Sequence, residues 1–506
     1  MVRQASSVRP TPRGSAGSSG FSVLILAAGK SIRFKSEQSK LLHLIAGRPL
    51  GEYILRTALD SGPERAYMVV GAKAQEVKEA FTRPGLTFID QKQQRGTGHA
   101  LLVARPELER CPSRTLVALV GDAPLLEPET LRALIELRER EGCAATILTT
   151  RLDQPRGYGR IMRAGANRVR AIVEEKVATP TQKKIREISS GILAFDRQAL
   201  LAHLDELSPN NAQKEYLLTD LVAIFSHHRL KVTAFAVADS RQVLGVNDRV
   251  ELAEVERILR RRKAMSLMRE GVTIVHPEAT YIDDAVEVGP DTVIEPGVSL
   301  LGRTRVGRAC VLHPCSTIAD SALGDRVTVR PCSVITGCEI SSDVAVGPFA
   351  HLRDGAVIET SARIGNFVEV KKSRVGRGSR VLHLTYLGDS TLGEQVNVGA
   401  GTVTCNYDGV KKHPTVIESG AFIGSGSMLV APIRIGRGAY VAAGSTISKN
   451  VPAGALAFGR ARQVNKEGWM KNHGKAKSVN ASAAGPSGEP DDSDRASSDP
   501  GRPNRR

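Results

Sequence analysis

Residues 416–447 read VIESGAFIGSGSMLVAPIRIGRGAYVAAGSTI, and an aliphatic residue returns at every sixth position along them. The returning residues are Ile417, Ile423, Leu429, Ile435, Val441 and Ile447. An earlier tract repeats the pattern, with a slight slip in phase before its last two members, at Val346, Leu352, Ile358, Ile364, Val370, Val381 and Leu387. A helix has a period of about 3.6 residues and a half-buried strand a period of about 2, so neither explains this repeat.

A six-residue period is typical of a parallel β-helix. One apolar side chain per short strand points inward, and Gly, Ala, Ser or Asn turns each corner. Successive coils stack at the strand-pairing distance of roughly 4.8 Å, so each coil is stabilised by its neighbours. We therefore predict one such prism over residues 288–447.

Length and charge limit the other possibilities. The 506 residues leave room for two or three domains. The net charge of +17 first suggests nucleic acid, but the termini contribute part of it and the remainder forms no basic stripe with interleaved aromatic residues. We expect no nucleic-acid partner and favour small phosphorylated substrates.

The seven cysteines form no CxxC pair, which predicts a reduced, cytoplasmic protein without a zinc knuckle. No apolar run approaches the ~20 residues that span a bilayer, so no membrane insertion is expected. Residues 1–20 and 471–506 are poor in apolar residues. They are interpreted as a disordered leader and a disordered tail.

Short apolar runs alternate with helical patterns in the first half of the chain. The runs cover 21–26, 66–70, 115–120 and 144–148, and the clearest helical pattern covers 127–141. This alternation predicts a mostly parallel α/β sheet over residues 21–248, with ligands at the carboxyl ends of its strands.

Two strand ends carry candidate binding residues. The first run ends in Ala27, Ala28 and Gly29, where backbone N–H groups can approach a phosphate, and Arg33 and Lys40 could neutralise its charge. Asp122 directly follows the strand in LVALVGDAPLL. A lone Asp at a strand end more often caps a helix or forms a turn. The presence of the AAGK loop and of GTGHA at 96–100 in the same chain favours a ligand-binding role.

Residues 249–270 contain helix formers throughout, with acidic residues early and basic residues late, as the helix macrodipole favours. We interpret them as a helical linking arm. Leu252, Val255 and Leu259 form its apolar stripe, and the basic run 260–263 is interpreted as a solvated face.

The repeat is interrupted near its end. Val403 and Ile417 are fourteen residues apart, two more than two repeats, so TCNYDGVKKHP at 404–414 should leave the coils. The loop carries Asn406, Tyr407, Lys411, Lys412 and His413. His383 precedes it in RVLHLTYLGD, where spacing alone favours a packing or surface role.

The segments LAAGKSIRF, QKQQRGTGHA, VGDAPLL, GYGRI, IVEEK, NNAQKEYLLTD and GVN, in this order, resemble the bacterial bifunctional N-acetylglucosamine-1-phosphate uridyltransferase and glucosamine-1-phosphate N-acetyltransferase. GNFVEVKK, HLTYLGD and NVGAGTVTCNYDG resemble the acetyltransferase half. The likeness covers residues 21–469. It implies an α/β Rossmann-like nucleotidyltransferase domain (21–248), an α-helical arm (249–270) and a left-handed parallel β-helix of hexapeptide repeats (271–470).

The resemblance also implies the chemistry. Glucosamine-1-phosphate would be acetylated with acetyl-CoA, and UMP would then pass from UTP to N-acetylglucosamine-1-phosphate, with Mg²⁺ as cofactor. The product, UDP-N-acetylglucosamine, would serve peptidoglycan and lipopolysaccharide synthesis. A homotrimer is the implied assembly.

Site residues follow from the resemblance alone. In the first half they are Leu26, Ala27, Ala28 and Gly29 at the nucleotide, Arg33 and Lys40 at phosphates, Gln91, Gly96 and Thr97 at uracil, Gly159, Glu174 and Ser189 at the amino sugar, and Asp122 and Asn247 at Mg²⁺. In the second half they are His383 as general base, Arg353, Lys371, Tyr386 and Asn397 at glucosamine-1-phosphate, and Ala400, Asn406, Tyr407, Ser425, Ala443 and Arg460 at acetyl-CoA.

Two positions depart from the family pattern. Val120 stands where the family has Tyr before Gly-Asp, and Ser189 stands where it has Asn. Because Ser is shorter than an amide, the sugar contact there would be lost or bridged by water.

The expected chemistry differs between the two halves. The phosphate that attacks UTP is already an anion and needs no general base. The ammonium of glucosamine-1-phosphate must lose a proton, for which an imidazole is suited. Ser425 has no visible His and Asp partners, so direct acetyl transfer is expected over a nucleophilic serine.

Three alternatives stay open at this stage. One is another sugar-phosphate nucleotidyltransferase whose β-helix only binds regulators. Another is a β-helical zinc carbonic anhydrase, which requires three His at one metal, and the spacing of the histidines here gives no matching pair. The last is a scaffold that keeps the repeats for assembly without catalysis.

Overall fold

A computed structural model of the chain describes residues 20–71, 73–211 and 214–470. The predicted disordered tail, and the predicted leader except Gly20, lie outside the described residues. The chain divides into two compact units, Met1–Phe458 and Gly459–Arg506. The first unit contains both an α/β part and a β-helix.

The α/β part follows the predicted alternation. Its strands are β1 Phe21–Ala27, β2 Leu44–Ile45, β3 Arg48–Pro49, β4 Arg65–Val70, β5 Leu86–Asp90, β6 Thr115–Val120, β7 Ala145–Arg151, β8 Arg160–Arg163, β9 Val169–Val173, β10 Glu187–Asp196 and β11 Val232–Ala236. Its helices are α1 Leu50–Asp60, α2 Ala74–Phe81, α3 Thr97–Glu109, α4 Pro128–Glu141, α5 Pro180–Lys183, α6 Arg197–His203, α7 Asp220–His227 and α8 Arg249–Arg269.

The main sheet has the strand order β11-β7-β10-β6-β1-β4-β5. Strand β10 runs antiparallel to β6 and β7, and the other neighbours on this path are parallel. Successive residues of a strand face opposite sides of a sheet. Accordingly, Val23 and Ile25 of β1 pack in one core cluster and Leu24 packs in the other.

Helix α8 is the predicted linking arm. The Asp248 carboxylate accepts hydrogen bonds from the backbone N–H groups of Val250 and Glu251, both at 2.9 Å, and so caps its N-terminus. Val255 and Ile258 are buried against the α/β part. Further along the same helix, other residues join the core of the β-helix, so α8 contributes to both hydrophobic cores.

The basic run 260–263 is only in part the solvated face that the sequence suggested, because Arg261 is exposed whereas Arg260 and Arg262 are partly covered. Arg260 makes an ion pair with Asp283 at 3.1 Å, and its side chain is only 16% exposed. Arg262 donates to the carbonyl of Leu125 at 3.1 Å and pairs with Glu127 at 3.2 Å. Arg260 and Arg262 are paired because α8 lies between the sheet domain and the first coil. Their aliphatic stems are covered there, and their guanidinium groups contact acidic side chains.

The repeats form three parallel sheets, which are the faces of a left-handed prism. The first sheet contains Thr273–Ile274, Val293–Ile294, Val311–Leu312, Thr328–Val329, Ala345–Val346, Arg363–Asn366, Arg380–His383, Asn397–Val398, Phe422–Ile423, Tyr440–Val441 and Leu456–Ala457. The second contains Tyr281–Ile282, Ser299–Leu301, Thr317–Ala319, Val334–Thr336, His351–Arg353, Glu369–Lys371, Tyr386–Gly388, Val403–Cys405, Met428–Val430 and Thr446–Ile447. The third contains Glu287–Val288, Arg305–Val306, Ala322–Leu323, Glu339–Ile340, Val357–Ile358, Arg374–Val375, Ser390–Leu392, Thr415–Ile417 and Ile433–Ile435.

The predicted hexad residues point inward. Leu352, Ile358, Ile423 and Leu429 each have no exposed surface and belong to one core cluster along the prism. Each coil is therefore sealed by aliphatic side chains stacked on those of the next coil.

The interruption of the repeat is longer than the sequence suggested. The inward residue of Val403–Cys405 is Thr404, not Val403, so the next inward residue, Ile417, follows after thirteen positions, seven more than one repeat. The sequence reading took Val403 because an aliphatic residue was expected, whereas the Thr404 hydroxyl is accommodated by accepting from the Gly388 N–H at 2.8 Å. The extra residues form the loop 406–414, on which Tyr407 and Val410 are exposed.

No helix in the described part of the chain is long and apolar enough to cross a membrane.

We predict that Leu352→Ala lowers the free energy of unfolding by about 2–5 kcal/mol, since it removes a fully buried side chain from the prism core. Urea denaturation followed by circular dichroism measures the change. His351→Ala, on the exposed side of the same strand, is the matched control and should stay within about 0.5 kcal/mol of the wild type. Equal destabilisation of the two variants would contradict the inward stacking.

Candidate functional site

A cavity of about 740 Å³ lies at the carboxyl ends of β1 and β6. Eleven of the sequence-predicted residues line it: Leu26, Ala27, Ala28, Gly29, Arg33, Lys40, Gln91, Gly96, Thr97, Asp122 and Asn247. Val120, the first departure from the family pattern, lies on the same wall. The volume is in the range of small-molecule sites.

Small residues let the chain approach closely around this cavity. Gly96 has φ of 109°, and a Cβ there would stand 2.3 Å from the carbonyl oxygen of Tyr216. Only glycine tolerates both conditions. The Gln91 side chain donates to the Gly96 carbonyl at 3.1 Å, so the two residues form one fixed wall.

Cations and oxygen ligands meet on the opposite wall. The Lys40 ammonium pairs with the Asp122 carboxylate and also donates to the Val246 carbonyl at 3.1 Å. Arg33 donates to the side-chain oxygen of Asn247 at 2.8 Å. All these groups lie within reach of an anion in the cavity, so this wall can neutralise a polyphosphate.

Asp122 and Asn247 also converge on one point. An atom placed as a Cβ on Gly245 would be 3.8 Å from an Asp122 carboxylate oxygen and 3.9 Å from the Asn247 side-chain nitrogen. Carboxylate and amide oxygens are the ligands that hard divalent cations prefer. The Asp122 carboxylate can therefore supply oxygen ligands to a divalent cation, and Asn247 can do so through its side-chain oxygen, which Arg33 now contacts.

Tyr158 lies beside the same point and was quoted in the GYGRI motif without a role. It makes a hydrogen bond with the Gly245 backbone. Burial raises the pKa of Tyr158, and the nearby carboxylates of Glu251 and Asp122 also raise it. The phenol therefore stays protonated and can serve as a neutral hydrogen-bond group near Asp122 and Asn247.

The three predicted amino-sugar residues lie together, but they are outside the residues that line the cavity. The Ser189 N–H donates to the Gly159 carbonyl at 2.9 Å. A Cβ on Gly159 would stand 3.5 Å from a Glu174 carboxylate oxygen, which accepts from the Thr219 hydroxyl at 3.0 Å. The Ser189 hydroxyl accepts from the Gly191 N–H at 3.2 Å.

The sequence reading missed several cavity residues that lie inside the motifs it quoted. Gln94 belongs to QKQQRGTGHA, and Glu215 and Leu217 belong to NNAQKEYLLTD. Their motif membership was the available signal, but nothing in the spacing distinguished them from their neighbours.

The β-helix brings a second group of predicted residues into one column. Asn366 and His383 are paired in adjacent coils. The next three members of the column are Ala400, Ser425 and Ala443, which stand two residues after the paired Val398, Ile423 and Val441. At roughly 4.8 Å per coil, the column from His383 to Ala443 is about 14 Å long and has small side chains beyond the imidazole.

The hydrogen bond to Asn366 sets the tautomer of His383. The His383 Nδ1 lies 2.9 Å from the Asn366 side-chain oxygen, which can only accept. Nδ1 therefore carries the hydrogen in the neutral imidazole, and the lone pair is on Nε2. His383 is exposed, so this lone pair can reach a ligand.

Arg353 and Lys371 are neighbours on the second face of the prism. Arg353 donates to Glu369 at 2.6 Å and pairs with Asp354 at 3.1 Å, and Lys371 is 3.6 Å from Asp354. The hydrogen bond with Glu369 raises the pKa of Arg353. The two cations are thus held in place by acidic neighbours and can turn to a phosphate.

The loop 406–414 adds another cation to this face. The Lys371 ammonium is in contact with Lys412 and lowers the pKa of Lys412. The loop is held in shape by Asp408, whose pKa the backbone N–H of Lys411, the His413 imidazole and the backbone N–H of Val410 keep well below its usual range. Two ammonium groups in contact favour an anion between them.

Tyr386 and Asn406 enclose Gly388. A Cβ on Gly388 would stand 2.4 Å from the Tyr386 hydroxyl and 2.6 Å from the Asn406 side-chain nitrogen. Asn406 is buried and donates to Asp389 at 2.6 Å. Tyr407 is exposed, and its hydroxyl donates to the Gly409 carbonyl at 2.6 Å.

Some predicted residues are not brought together with the others. Asn397 lies on the first face of the prism, whereas Arg353, Lys371 and Tyr386 lie on the second. Arg460 is exposed and belongs to the second compact unit.

Two alternatives weaken on this geometry. In the part of the chain that the structure describes, the Ser425 hydroxyl has no hydrogen bond to a His or Asp, so no nucleophilic triad is assembled there. Within the same described ranges, no three residues of the β-helix form a His, Cys, Asp or Glu group close enough to hold one ion. The described residues of a single chain therefore do not assemble the three-His zinc site that a carbonic anhydrase requires.

Comparison with known proteins gives two family matches and close relatives. Residues 23–273 match the MobA-like NTP transferase domain, and residues 414–449 match the bacterial transferase hexapeptide (six repeats). The chain is 46% identical over 447 residues to the bifunctional protein GlmU of Pelobacter propionicus, covering 88% of this chain and 97% of the relative. It is 47% identical to the bifunctional protein GlmU of Koribacter versatilis over 453 residues, which cover 89% of this chain and 96% of the relative. It is also 47% identical to the bifunctional protein GlmU of Geotalea daltonii over 451 residues, which cover 89% of this chain and 98% of the relative.

We predict that Gly388→Ala displaces the Tyr386 ring and the Asn406 amide, because the added methyl group occupies their present positions. A crystal structure of the variant measures the displacement. Gly62→Ala, where a Cβ meets nothing within 4 Å but φ is 80°, adds only local backbone strain at a separate turn and should leave both side chains in place. Unmoved Tyr386 and Asn406 in Gly388→Ala would contradict the tight contact.

Proposed function

The chain belongs to the family of bifunctional GlmU proteins, and from that premise we propose that it acetylates glucosamine-1-phosphate and then transfers UMP from UTP to the N-acetylglucosamine-1-phosphate formed. It is a uridyltransferase and an acetyltransferase in one chain. The observation that carries the proposal is that a strand-end cavity lined by Lys40 and Arg33 and an accessible imidazole at the head of a column of small residues occur in one chain. We propose residues 21–248 and 271–470 as the two catalytic parts, with 249–270 as the arm.

The strand-end cavity would hold UTP. The Ala27–Gly29 backbone and the Gln91–Thr97 wall enclose the nucleoside, and Lys40 and Arg33 face its phosphates. The attacking phosphate is an anion, so the barrier lies in bringing two anions together. Lys40 and Arg33 lower that barrier by neutralising charge as the leaving pyrophosphate forms.

Mg²⁺ is the cofactor we propose for this cavity, and Asp122 and Asn247 would hold it. When bound, it supplies positive charge at the reacting phosphates. Lys40 and Arg33, which now contact these two residues, would then be free to turn to the nucleotide. Ser189, Gly159 and Glu174 would hold the sugar from the side of the cavity.

In the acetyltransferase part, His383 would act as general base. Its Nδ1–H is bound to Asn366, so the Nε2 lone pair can remove a proton from the substrate ammonium. The free amine then attacks the thioester carbonyl, the C–S bond of the tetrahedral intermediate breaks, and the CoA thiolate leaves and takes up the proton that the attacking nitrogen gives up. Arg353, Lys371, Tyr386 and Asn397 would hold the sugar phosphate, and Lys412 supports the same anion.

Acetyl-CoA would lie along the column of small residues. Ala400, Ser425 and Ala443 leave room for the linear arm of the coenzyme, which would present its thioester at His383. Asn406 and Tyr407 would flank the arm from the loop.

The location of the substrates supports a cytoplasmic enzyme. UTP and acetyl-CoA are cytoplasmic metabolites, and all seven cysteines are free thiols. We propose that the product, UDP-N-acetylglucosamine, enters peptidoglycan and lipopolysaccharide synthesis.

A homotrimer would complete the acetyltransferase site. Asn397 points away from the first face of the prism, and Tyr386 points away from the second. A single ligand would therefore contact both most simply if the two residues came from different chains. The corner between these faces also carries an exposed apolar ladder of Phe349, Phe367 and Leu384, whose two rings stack at 5.4 Å. Such a ladder beside the catalytic corner favours contact with another copy.

The two reactions should be separable by mutation. Asp122→Ala is expected to lower uridylyl transfer by at least about 10²-fold and to leave acetyl transfer unchanged, because it removes a ligand from the cavity alone. His383→Ala is expected to lower acetyl transfer by about 10²–10⁴-fold and to spare uridylyl transfer. Release of thiol and of pyrophosphate, followed separately, measures the two activities.

His351→Ala is the matched control for the imidazole, since His351 is also exposed on the prism. It should retain both activities. Loss of both activities in a folded Asp122→Ala protein would rule out separate sites, and an active His383→Ala enzyme would restore the scaffold interpretation.

Assembly can be tested at the apolar ladder. Light scattering behind a sizing column should give three times the chain mass of 54.2 kDa for the wild type, and Phe367→Asp should shift it toward the monomer, because it places a charge in the apolar contact. Val177→Asp, an exposed position in the α/β part, should remain trimeric. A trimeric Phe367→Asp protein would show that this ladder is not the interface.

A further inference from the structure

We propose that His203, Glu206 and His228 form a binding site for Zn²⁺ on the surface of the α/β part. Their ligand atoms all lie within 4.8 Å of one another. Neither proposed reaction uses these residues, and none of them lines the strand-end cavity. The proposal therefore stands on a separate group of side chains.

The ligand atoms already surround one position. The Nδ1 of His203 lies 2.6 Å from one carboxylate oxygen of Glu206, and the Nε2 of His228 lies 2.9 Å from the other. Ligands around a tetrahedral Zn²⁺ stand about 3.3 Å apart, given Zn–N distances of about 2.0–2.1 Å. An opening of roughly half an ångström would thus admit the ion, which exchanges two hydrogen bonds for three coordination bonds.

The backbone beneath the site is rigid. His203 ends α6, Glu206 ends the short 3₁₀ turn that follows it, and His228 directly follows α7. Leu204, inside that turn, and Phe225, two residues before the end of α7, are fully buried in the same core cluster. The ligands are therefore held in place before the ion binds, which limits the entropy cost of binding.

The side chains leave an open position for the ion and a water molecule. His203 is 18% exposed, His228 40% and Glu206 42%. The two imidazole rings lie 4.2 Å apart, between centroids, at a tilt of 38°. Three protein ligands with an accessible fourth position are typical of zinc sites that keep a water ligand.

Two guanidinium groups lie near the site. Arg105 is matched by Asp205 at 2.6 Å and by Glu109 at 2.9 Å, and Arg229, which follows His228, is exposed to solvent, where its charge is screened. Two imidazole nitrogens and one carboxylate suit Zn²⁺, whereas Mg²⁺ prefers oxygen ligands and retains its water. The site should accordingly discriminate between Zn²⁺ and the Mg²⁺ of the nucleotide cavity.

The neighbouring His227 provides a matched control. Its ring lies 5.6 Å from that of His228, but it is not a member of the ligand group. Its removal deletes an imidazole from the same surface without deleting a ligand. If Zn²⁺ bound to surface histidines in general, this change would weaken binding. If Zn²⁺ binds at the proposed site, this change leaves the affinity unaltered.

The test is calorimetric titration of the full chain with ZnCl₂, without nucleotide or Mg²⁺. Cys315→Ser and Cys332→Ser form the background, because these two exposed thiols could bind Zn²⁺ themselves. We expect one equivalent of Zn²⁺ whose Kd rises at least about tenfold in Glu206→Gln and in His228→Ala. His227→Ala should bind within about twofold of the background protein, and excess Mg²⁺ should not compete.

X-ray absorption at the zinc edge gives an independent readout. It should show nitrogen and oxygen neighbours with the scattering of two imidazoles, reduced to one in His228→Ala. Uridylyl transfer unchanged in every variant confirms that the α/β part is folded. Absence of zinc binding, equal binding in Glu206→Gln and the background protein, or an equal loss in His227→Ala would overturn the proposal.

Discussion

The parallel pairing of each coil with the next is the constraint on which the acetyltransferase half depends. Aliphatic side chains at six-residue intervals fix the coils in register, because a slip of one residue would turn the inward set outward. The same register stacks Asn366, His383, Ala400, Ser425 and Ala443 in one column. The core packing thus determines what stands next to the imidazole, although no member of the column is part of the core.

The two halves are joined through the arm and the first coil. Asp284 pairs with Arg56 of the sheet domain at 2.9 Å and its N–H donates to the Ala46 carbonyl at 2.9 Å. Asp283 receives Arg260 of the arm. Asp283 is buried, and a buried charge is costly to leave unpaired, so its pair with Arg260 favours one docking of arm and coil. None of the residues of this joint lines the strand-end cavity, so each half can carry its own chemistry.

Local periodicity was enough to predict the prism, four strands of the main sheet (β1, β4, β6 and β7) and, to within one residue, helix α4, because those patterns reflect burial of nearby residues. It failed where burial depended on contacts distant in sequence. Thr404 replaced the expected Val403 inside the coil because its hydroxyl meets the Gly388 N–H. Arg260 and Arg262 were expected in solvent and instead pair with partners from elements that spacing cannot bring together. The group of His203, Glu206 and His228 escaped notice for the same reason, since twenty-two residues and a helix separate its last two members.

The two proposed transfers share one hexosamine phosphate. The most direct test incubates the purified chain with glucosamine-1-phosphate, UTP and Mg²⁺, with and without acetyl-CoA, and follows free thiol and pyrophosphate separately. If acetylation precedes uridylyl transfer, thiol release does not require UTP, and pyrophosphate release requires acetyl-CoA. Pyrophosphate formed from glucosamine-1-phosphate at the same rate without acetyl-CoA, or the absence of thiol, would contradict the proposal.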